Sequence, residues 1–366
     1  MKNNMNSAVV YCEGLFGEMD GKVANGLVRH SEKYEIVGVI DSRLAGKDTG
    51  MVLDQKANGI LIYASLEDAL KSTKKKVDFF IFGMAPLSGR LSKKDKQVML
   101  QSMEQGLSII NGLHEFLTDD PIFLESAKKN EVTLVDIRKS KKASELQVFT
   151  GNIFDVQCPK IAVLGTDGAV GKRTTAVLLT KALKAIGLKA IMIATGQTGI
   201  IQGAKYGIAI DAIPAQFISG EVEKAVCKAW QEEQPDVLII EGQGALSHPA
   251  YLSSCYILRG SRPEAVIIQH PPKREMLGDF PKIKMPTLES EIQLIETFEK
   301  SQVIGITLNH EGMTESEMDS TIQSYQEKYK LPTTDVLFQG CDPLVDKILT
   351  SFPELEKKTK NQEKIA

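Results

Sequence analysis

The chain has 366 residues, of which 42% are hydrophobic and 25% charged, and its formal net charge is −3. Such a length suits two domains of ordinary size, and such a composition is that of a soluble globular protein. The near-neutral charge gives no electrostatic reason to expect a nucleic acid or an anionic membrane surface as partner, and no apolar run approaches membrane-spanning length.

The N-terminal stretch MKNNMNSAVVYCEG has neither the apolar core nor the small-residue cleavage site of a signal peptide, so a cytoplasmic location is expected. Cys12, Cys158, Cys227, Cys255 and Cys341 are scattered with no C-x-x-C pair, which favours buried free thiols over a metal site or a disulfide framework. Through the first third, apolar strand-like runs fall at 8–11, 36–40, 60–63, 77–82, 107–110 and 132–135. Helix-like segments at 21–30, 66–72, 92–105 and 119–129 lie between most of them. This alternation predicts a parallel sheet covered on both faces.

The first unit, VVYCEGLFGEMDGKVANGLV followed by YEIVGVID, has the look of a dinucleotide-binding half with Asp41 ending its second strand. Its Gly14-x-x-Gly17 spacing is not G-x-G-x-x-G, so two readings stand: an NAD site, or a Rossmann-like scaffold whose strand ends line a cleft. The turns at 82–86 and 111–115 follow strands and read either as cleft walls or as helix-capping loops. Lys74, Lys75 and Lys76 read as a solvated turn. Periodicity weakens from 137 to 158, which sets the expected domains at 1–150 and 151–352, with a polar tail at 353–366 that frays.

The second domain opens with IAVLGTDGAVGKRTTAVLLTKALKAI (161–186), which reads as strand, Gly-rich turn and helix. Ala176, Leu179, Leu183 and Ile186 share one helical face, and Gly187 supplies the C-terminal cap. Later strands are expected at 190–194, 237–240, 265–269, 303–308 and 335–338, with a helix over 220–233 capped by Ser219. The fold expected is α/β, with two doubly wound parallel-sheet domains, Rossmann-like followed by P-loop NTPase-like.

In such a turn the backbone N–H groups and the helix N-terminus face an anion, and a Lys reaches its outer oxygens. The phosphate site is therefore expected on Thr166, Asp167, Gly168, Ala169, Val170, Gly171, Lys172, Arg173, Thr174 and Thr175. Two departures from G-x4-G-K-[ST] matter. Five residues, not four, separate Gly165 from Gly171, and Arg173 stands where the Mg²⁺-ligating Ser or Thr belongs. Arg173 offers a second cation to phosphate instead, so no metal is required.

In a parallel sheet the residues directly after each strand converge on one edge. Here these are Gln197, Thr198 and Gly199; Glu241, Gln243, Gly244, Ser247 and His248; His270 and Arg274; and Asn309 with His310. Glu241 follows four apolar residues as a Walker B acid does, and reads as a water-mediated Mg²⁺ contact, a base or an N-cap. His248, beside a Pro, reads as catalytic or as a loop histidine satisfied by backbone. Gln197, Thr198, Gly199, Gln243, Gly244, Ser247, His270 and Arg274 are the candidates for holding substrate, with Lys205 and Arg259 as further cations.

The loop GTDGAVGK resembles that of dethiobiotin synthetases and related amidoligases, which carry Thr where this chain has Arg173. A resemblance that spans nearly the whole chain is to the DgcN-type D-glutamate N-acetyltransferases. It is carried by GTDGAVGKRTTA (165–176), ATGQTGI (194–200), EGQGALSHPAY (241–251), QHPPKR (269–274) and NGLHEFL (111–117). The resemblance implies acetyl-CoA as donor and D-glutamate as acceptor; it does not name the base, for which His248 and Glu241 are the candidates among the strand-end residues. A small-molecule substrate and a homo-oligomer are expected. Two other classes compete: an ATP- and Mg²⁺-dependent ligase or kinase on a small acid, and a non-enzymatic nucleotide switch. Both need a metal-ligating hydroxyl at the position of Arg173, unless Thr174 substitutes.

Overall fold

Six apolar runs of the first third pair side by side as parallel strands in the computed structural model, which describes residues 5–73, 75–86 and 88–363. In chain order they are β1 (Asn6–Tyr11), β2 (Tyr34–Ile40), β3 (Ile62–Tyr63), β4 (Phe79–Phe82), β5 (Ser108–Asn111) and β6 (Leu134–Asp136). The helices between them are α1 (Lys22–Arg29), α2 (Thr49–Asp54), α3 (Leu66–Ser72), α4 (Lys93–Glu104) and α5 (Pro121–Asn130). The sheet order β3-β2-β1-β4-β5-β6 reverses direction beside β1, the arrangement of a Rossmann-like sheet. Val9, Val10, Phe80, Ile81, Ile109 and Ile110 are buried between the helical layers, because a sheet covered on both faces has no wet side for polar alternation. Of the three-lysine turn, Lys74 lies outside the described residues, and Lys75 pairs with Glu35.

Asp41 settles how the first Gly-containing turn is used. Its fully buried carboxylate accepts hydrogen bonds from the Phe16 N–H at 3.0 Å, the Arg43 N–H at 3.0 Å and the Arg43 guanidinium at 3.2 Å. The acid that would hold a ribose in a dinucleotide site is thus engaged in closing the 14–17 turn. The scaffold reading fits this geometry.

The second sheet contains β7 (Lys160–Gly165), β8 (Ala190–Ala194), β9 (Tyr206–Gly207), β10 (Val237–Glu241), β11 (Ala265–His270), β14 (Gln302–Leu308) and β15 (Thr333–Thr334). A small antiparallel hairpin, β12 (Met276–Leu277) and β13 (Phe280–Lys284), stands apart from it. Its helices are α6 (Lys172–Ala185), α8 (Ala215–Glu233), α9 (Ser253–Ser261), α10 (Leu288–Glu299), α11 (Glu315–Tyr329), α12 (Asp342–Ser351) and α13 (Pro353–Glu363). α7 (Gln197–Gln202) falls between β8 and β9 in sequence. The seven strands are parallel in the order β15-β14-β11-β7-β10-β8-β9. Alternation along β7 sends Ile161 and Val163 to one core and Ala162 and Leu164 to the other.

The chain divides between Lys141 and Lys142, earlier than the 150/151 boundary read from composition. The reason lies in α8: Glu221 accepts from the Gln147 N–H, and Glu223 accepts from the N–H groups of Thr150 and Ile153. These bonds bind 147–153 to the second unit. Residues 197–204 belong to the first unit, where Ile201 joins its core and the Gln202 side chain donates to the carbonyls of Gly26 and His30 at 2.8 and 2.9 Å.

Four further expectations are corrected. The helix expected from 220 begins at Ala215 with Pro214 as N-cap, and Ser219 is interior to it. Gly220 is a packing position, where a Cβ would lie 2.1 Å from the Gln147 carbonyl. The strand expected at 335–338 is a turn, because the Asp335 carboxylate accepts from the Leu337 N–H and draws the chain round. Ile186 is a C-cap and 37% exposed, since α6 ends one residue before it. The tail is not frayed over 353–363: it forms α13, with Leu355 buried in the core; residues 364–366 lie outside the described residues.

Candidate functional site

β7 lies between β11 and β10, and successive crossovers leave it on opposite sides, so the residues after Gly165 sit where an open parallel sheet binds its ligand. Residues 166–171 curl there before α6 begins. Gly171, its N-cap, has φ +108°, and Ala169 adopts φ +51°, a left-handed conformation that costs a non-glycine residue about 1–2 kcal/mol. Lys172, the first residue of α6, is buried and donates from Nζ to the Asp167 carbonyl of the same loop. Curled backbone, helix N-terminus and ammonium are the features that suit an anion.

The loop is braced from outside. Asp167 accepts from Arg274 Nη1 at 2.9 Å and from the Gly278 N–H at 2.8 Å, while its other oxygen accepts from the Gly168 N–H at 2.6 Å. Arg274 also donates to the Gly168 carbonyl at 2.9 Å and pairs with Glu311. Asn309 donates to the Val170 carbonyl at 2.9 Å. The Thr166 hydroxyl lies 2.9 Å from His270 Nδ1, and the Thr166 N–H donates to the Gln269 carbonyl at 3.1 Å. Gln269 Oε1 accepts from both Thr175 and Thr307, which ties α6 to β14. Arg274 and His270 are therefore turned toward the loop itself. Burial pushes the His270 imidazole down to about 4, so it is neutral near pH 7.

β10 brings Glu241 to the edge beside β7. Its carboxylate is buried and accepts from the Thr195 N–H at 2.9 Å, and the Thr195 hydroxyl donates to the Glu241 carbonyl at 2.9 Å. Burial raises its carboxyl above the usual range, opposed by the charges of Arg173 and Lys172 and by the N–H groups of Thr195 and Gly196. The turn after it passes close under β7: a Cβ on Gly242 would lie 2.2 Å from the Val163 carbonyl, so only glycine fits. The Gln243 carbonyl accepts from Ser254, and its side-chain amide fills the space beside Gly196. Gly244 turns the chain with φ +56°.

Ser247 donates to Glu291 Oε2 at 2.6 Å, and the Leu246 N–H also donates to Glu291. His248 Nδ1 accepts from the N–H groups of Ala250 at 3.2 Å and Tyr251 at 3.1 Å, and its ring stacks on Tyr251 with centroids 4.4 Å apart. The Tyr251 hydroxyl donates to Asp279 of the β12–β13 hairpin at 2.7 Å.

The second unit thus brings Thr166–Thr175, Glu241, Gln243, Gly244, Ser247, His248, His270 and Arg274 to the ends of adjacent strands. Gln197, Thr198 and Gly199 lie instead on α7, in the first unit. Lys205 pairs with Glu233 at 2.6 Å, Arg259 lies over the Phe298 ring, and His310 is bonded to Asp335 at 2.6 Å. Sequence reading missed Glu291, Asp279, Tyr251 and Glu311. Glu291 looks there like an ordinary acid in the first turn of a helix capped by Thr287, and nothing local signals the other three. The first unit has its own cleft of about 750 Å³, lined by Tyr11, Ile40, Leu66, Lys94 and Val98 among others.

Two domain families match the chain: the DUF1611_N Rossmann-like domain over residues 42–140 and the DUF1611_C P-loop domain over 147–345, both described as domains of unknown function. A D-glutamate N-acetyltransferase from Pseudoalteromonas sp is 32% identical over 272 residues, covering 73% of this chain and 80% of that protein. A second D-glutamate N-acetyltransferase, from Tritonibacter scottomollicae, is 29% identical, covering 79% of this chain and 86% of its own. The crystal structure of a DUF1611 family protein from Anabaena variabilis superposes with a TM-score of 0.86 at 29% identity, covering 94% of this chain and 99% of that one. Among the described residues no helix is long and apolar enough to cross a membrane.

Proposed function

The chain belongs to the two-domain DUF1611 family, and from that premise we propose that it is an N-acetyltransferase moving the acetyl group of acetyl-CoA to the amine of D-glutamate. The observation that carries the reading is a phosphate loop set beside a buried carboxylate. Glu241 ends the strand next to β7, and Lys172 and Arg173 at the start of α6 both act on its charge. Coenzyme A carries a pyrophosphate and a 3′-phosphate, which the loop N–H groups, Lys172 and Arg173 suit without a γ-phosphate or a metal. The Thr175 hydroxyl is engaged by Gln269, so an ATP-dependent ligase would have to draw its Mg²⁺-ligating hydroxyl from Thr174.

Acetyl transfer forms a C–N bond and breaks a C–S bond; the ammonium of the amino acid first gives up a proton, and the departing sulfur gains one. Glu241 is suited to take the first proton, since burial brings its basicity closer to what a general base needs. Gly242 lets the chain after Glu241 run close under β7, which keeps the carboxylate near the loop.

The test is release of free thiol from acetyl-CoA with D-glutamate, L-glutamate or D-aspartate as acceptor, over about pH 6 to 10. D-Glutamate-dependent thiol that survives EDTA is expected. No acceptor-dependent thiol with any amino acid would sink the proposal, and an absolute need for Mg²⁺ with ATP would return the ligase reading.

A further inference from the structure

Among the described residues of the second unit, His248 Nε2 is the buried side-chain polar atom with no hydrogen-bond partner. The other ring nitrogen is committed: Nδ1 accepts from two backbone N–H groups, those of Ala250 and Tyr251. A nitrogen in that position carries no proton, so the neutral ring bears its hydrogen on Nε2. Turning the ring over would set a C–H against the same two N–H groups. Tyr251, stacked at 4.4 Å with 13° between planes, and Phe280, at 5.7 Å, fix the ring plane.

A general base needs a lone pair free to receive a proton. In His248 one nitrogen already carries hydrogen and the lone pair of the other is held by the backbone. What the ring offers is a donor. Asp167 Oδ1, in the phosphate loop, lies 3.6 Å from Nε2, longer than the ~2.7–3.2 Å of a formed N–H···O bond. Lys172 bonds the Asp167 carbonyl, and a phosphate bound in the loop would compete for that ammonium.

We infer that His248 is a positioning residue and not the base of the reaction: fixed as the Nε2–H tautomer, it donates toward Asp167 and couples the 248–251 turn to the phosphate loop. The charged and titratable groups facing it are Asp167 from the loop, Asp279 from the hairpin, Lys172 from α6 and the stacked Tyr251. Burial outweighs the two carboxylates and holds the imidazole below its ordinary range, which favours the neutral ring near pH 7.

The inference rests on the acetyltransferase reading only for its kinetic arm. Nitrogen-15 spectra of the histidine rings in the full chain, assigned through His248→Gln, report the tautomer directly. A bare Nδ1 and a protonated Nε2 are expected from about pH 7 to 9, with coenzyme A strengthening the Nε2–H hydrogen bond. An Nδ1–H tautomer, or titration to imidazolium in that range, overturns the inference whether or not the chain transfers acetyl groups. In the kinetic arm, Gln offers an amide N–H donor but accepts no proton, and Phe keeps only the packing. His248→Gln is expected to keep kcat within about tenfold of wild type with the acid limb of its pH profile unmoved, whereas His248→Phe loses roughly 100-fold. A Gln variant as slow as the Phe variant, with melting temperatures of both unchanged, makes His248 the base and overturns the inference.

Discussion

The first strand of each unit runs into a glycine-containing turn at the point where its sheet reverses order, yet the two turns are closed differently. After β1, the Phe16 N–H is taken by the Asp41 carboxylate and the Gly17 N–H by Asn25, so the turn satisfies its own donors and brings a buried negative charge beneath them. After β7, one Asp167 oxygen accepts from the Gly168 N–H of the turn, but the other is drawn out to Arg274 and Gly278, and Lys172 and Arg173 follow at once. Strand order fixes where the turns lie. The side chains that answer the turn N–H groups decide whether an anion is welcome.

The sharpest way to break this contrast is Glu241→Gln. If the second turn serves catalysis, the substitution lowers turnover by ~100 to 10,000-fold while coenzyme A affinity, read by calorimetry, stays within a few fold. Equal loss of affinity and rate would make Glu241 a binding residue.

His270 tests the same loop through pH. Its folded value of about 4 lies below the ordinary 6.5, so as pH falls from 6.5 to about 4 the unfolded chain takes up a proton that the folded chain refuses. Stability therefore falls with pH across that window, and at about 1.4 kcal/mol per pH unit the total is on the order of 3 kcal/mol. Denaturant melts of the native chain and His270→Phe at about pH 4.5, inside that window, and about pH 7, above it, should show the loss in the first and its reduction in the second. Parallel losses in both would leave the slope to other groups.

Lys172→Ala should weaken coenzyme A binding by about 1.5–3 kcal/mol, the scale of a hydrogen bond to a charged group. Asp41→Asn is its counterpart in the first unit. It should cost about 1–3 kcal/mol of stability, because the Phe16 N–H and Arg43 lose a charged partner, and leave coenzyme A affinity unchanged. A weakened cofactor in Asp41→Asn would move an anion site to the first turn and undo the distinction.

Much of this was legible in the sequence because parallel strands buried on both faces read as unbroken apolar runs. The segment Ile161, Ala162, Val163, Leu164 announced β7, and the glycines after it announced the loop. The acid at 241 was legible for the same reason, standing directly after Val237–Ile240. What stayed hidden depends on partners far along the chain. Arg274 reads as a free cation for substrate until Asp167 and Glu311 are seen to hold it. Ser219 reads as a helix cap because Pro214 and the approach of Gln147 to Gly220 are invisible locally. Asp335 looked like the start of a strand, and only its bond to the Leu337 N–H makes it a turn.

The membership of residues 197–204 in the first unit bears on how the chain is made. Ile201 fills a place in that unit's core, and Gln202 caps the carbonyls of Gly26 and His30 at the end of α1. Both are synthesised after β7, α6 and β8 of the second unit. Domains usually fold as they leave the ribosome, N-terminal first. Here the core of the leading unit is completed only after part of the trailing one has been translated; until then it has an apolar gap at Ile201, and the His30 carbonyl lacks the Gln202 amide. A truncated chain ending at Lys141 would carry that gap permanently.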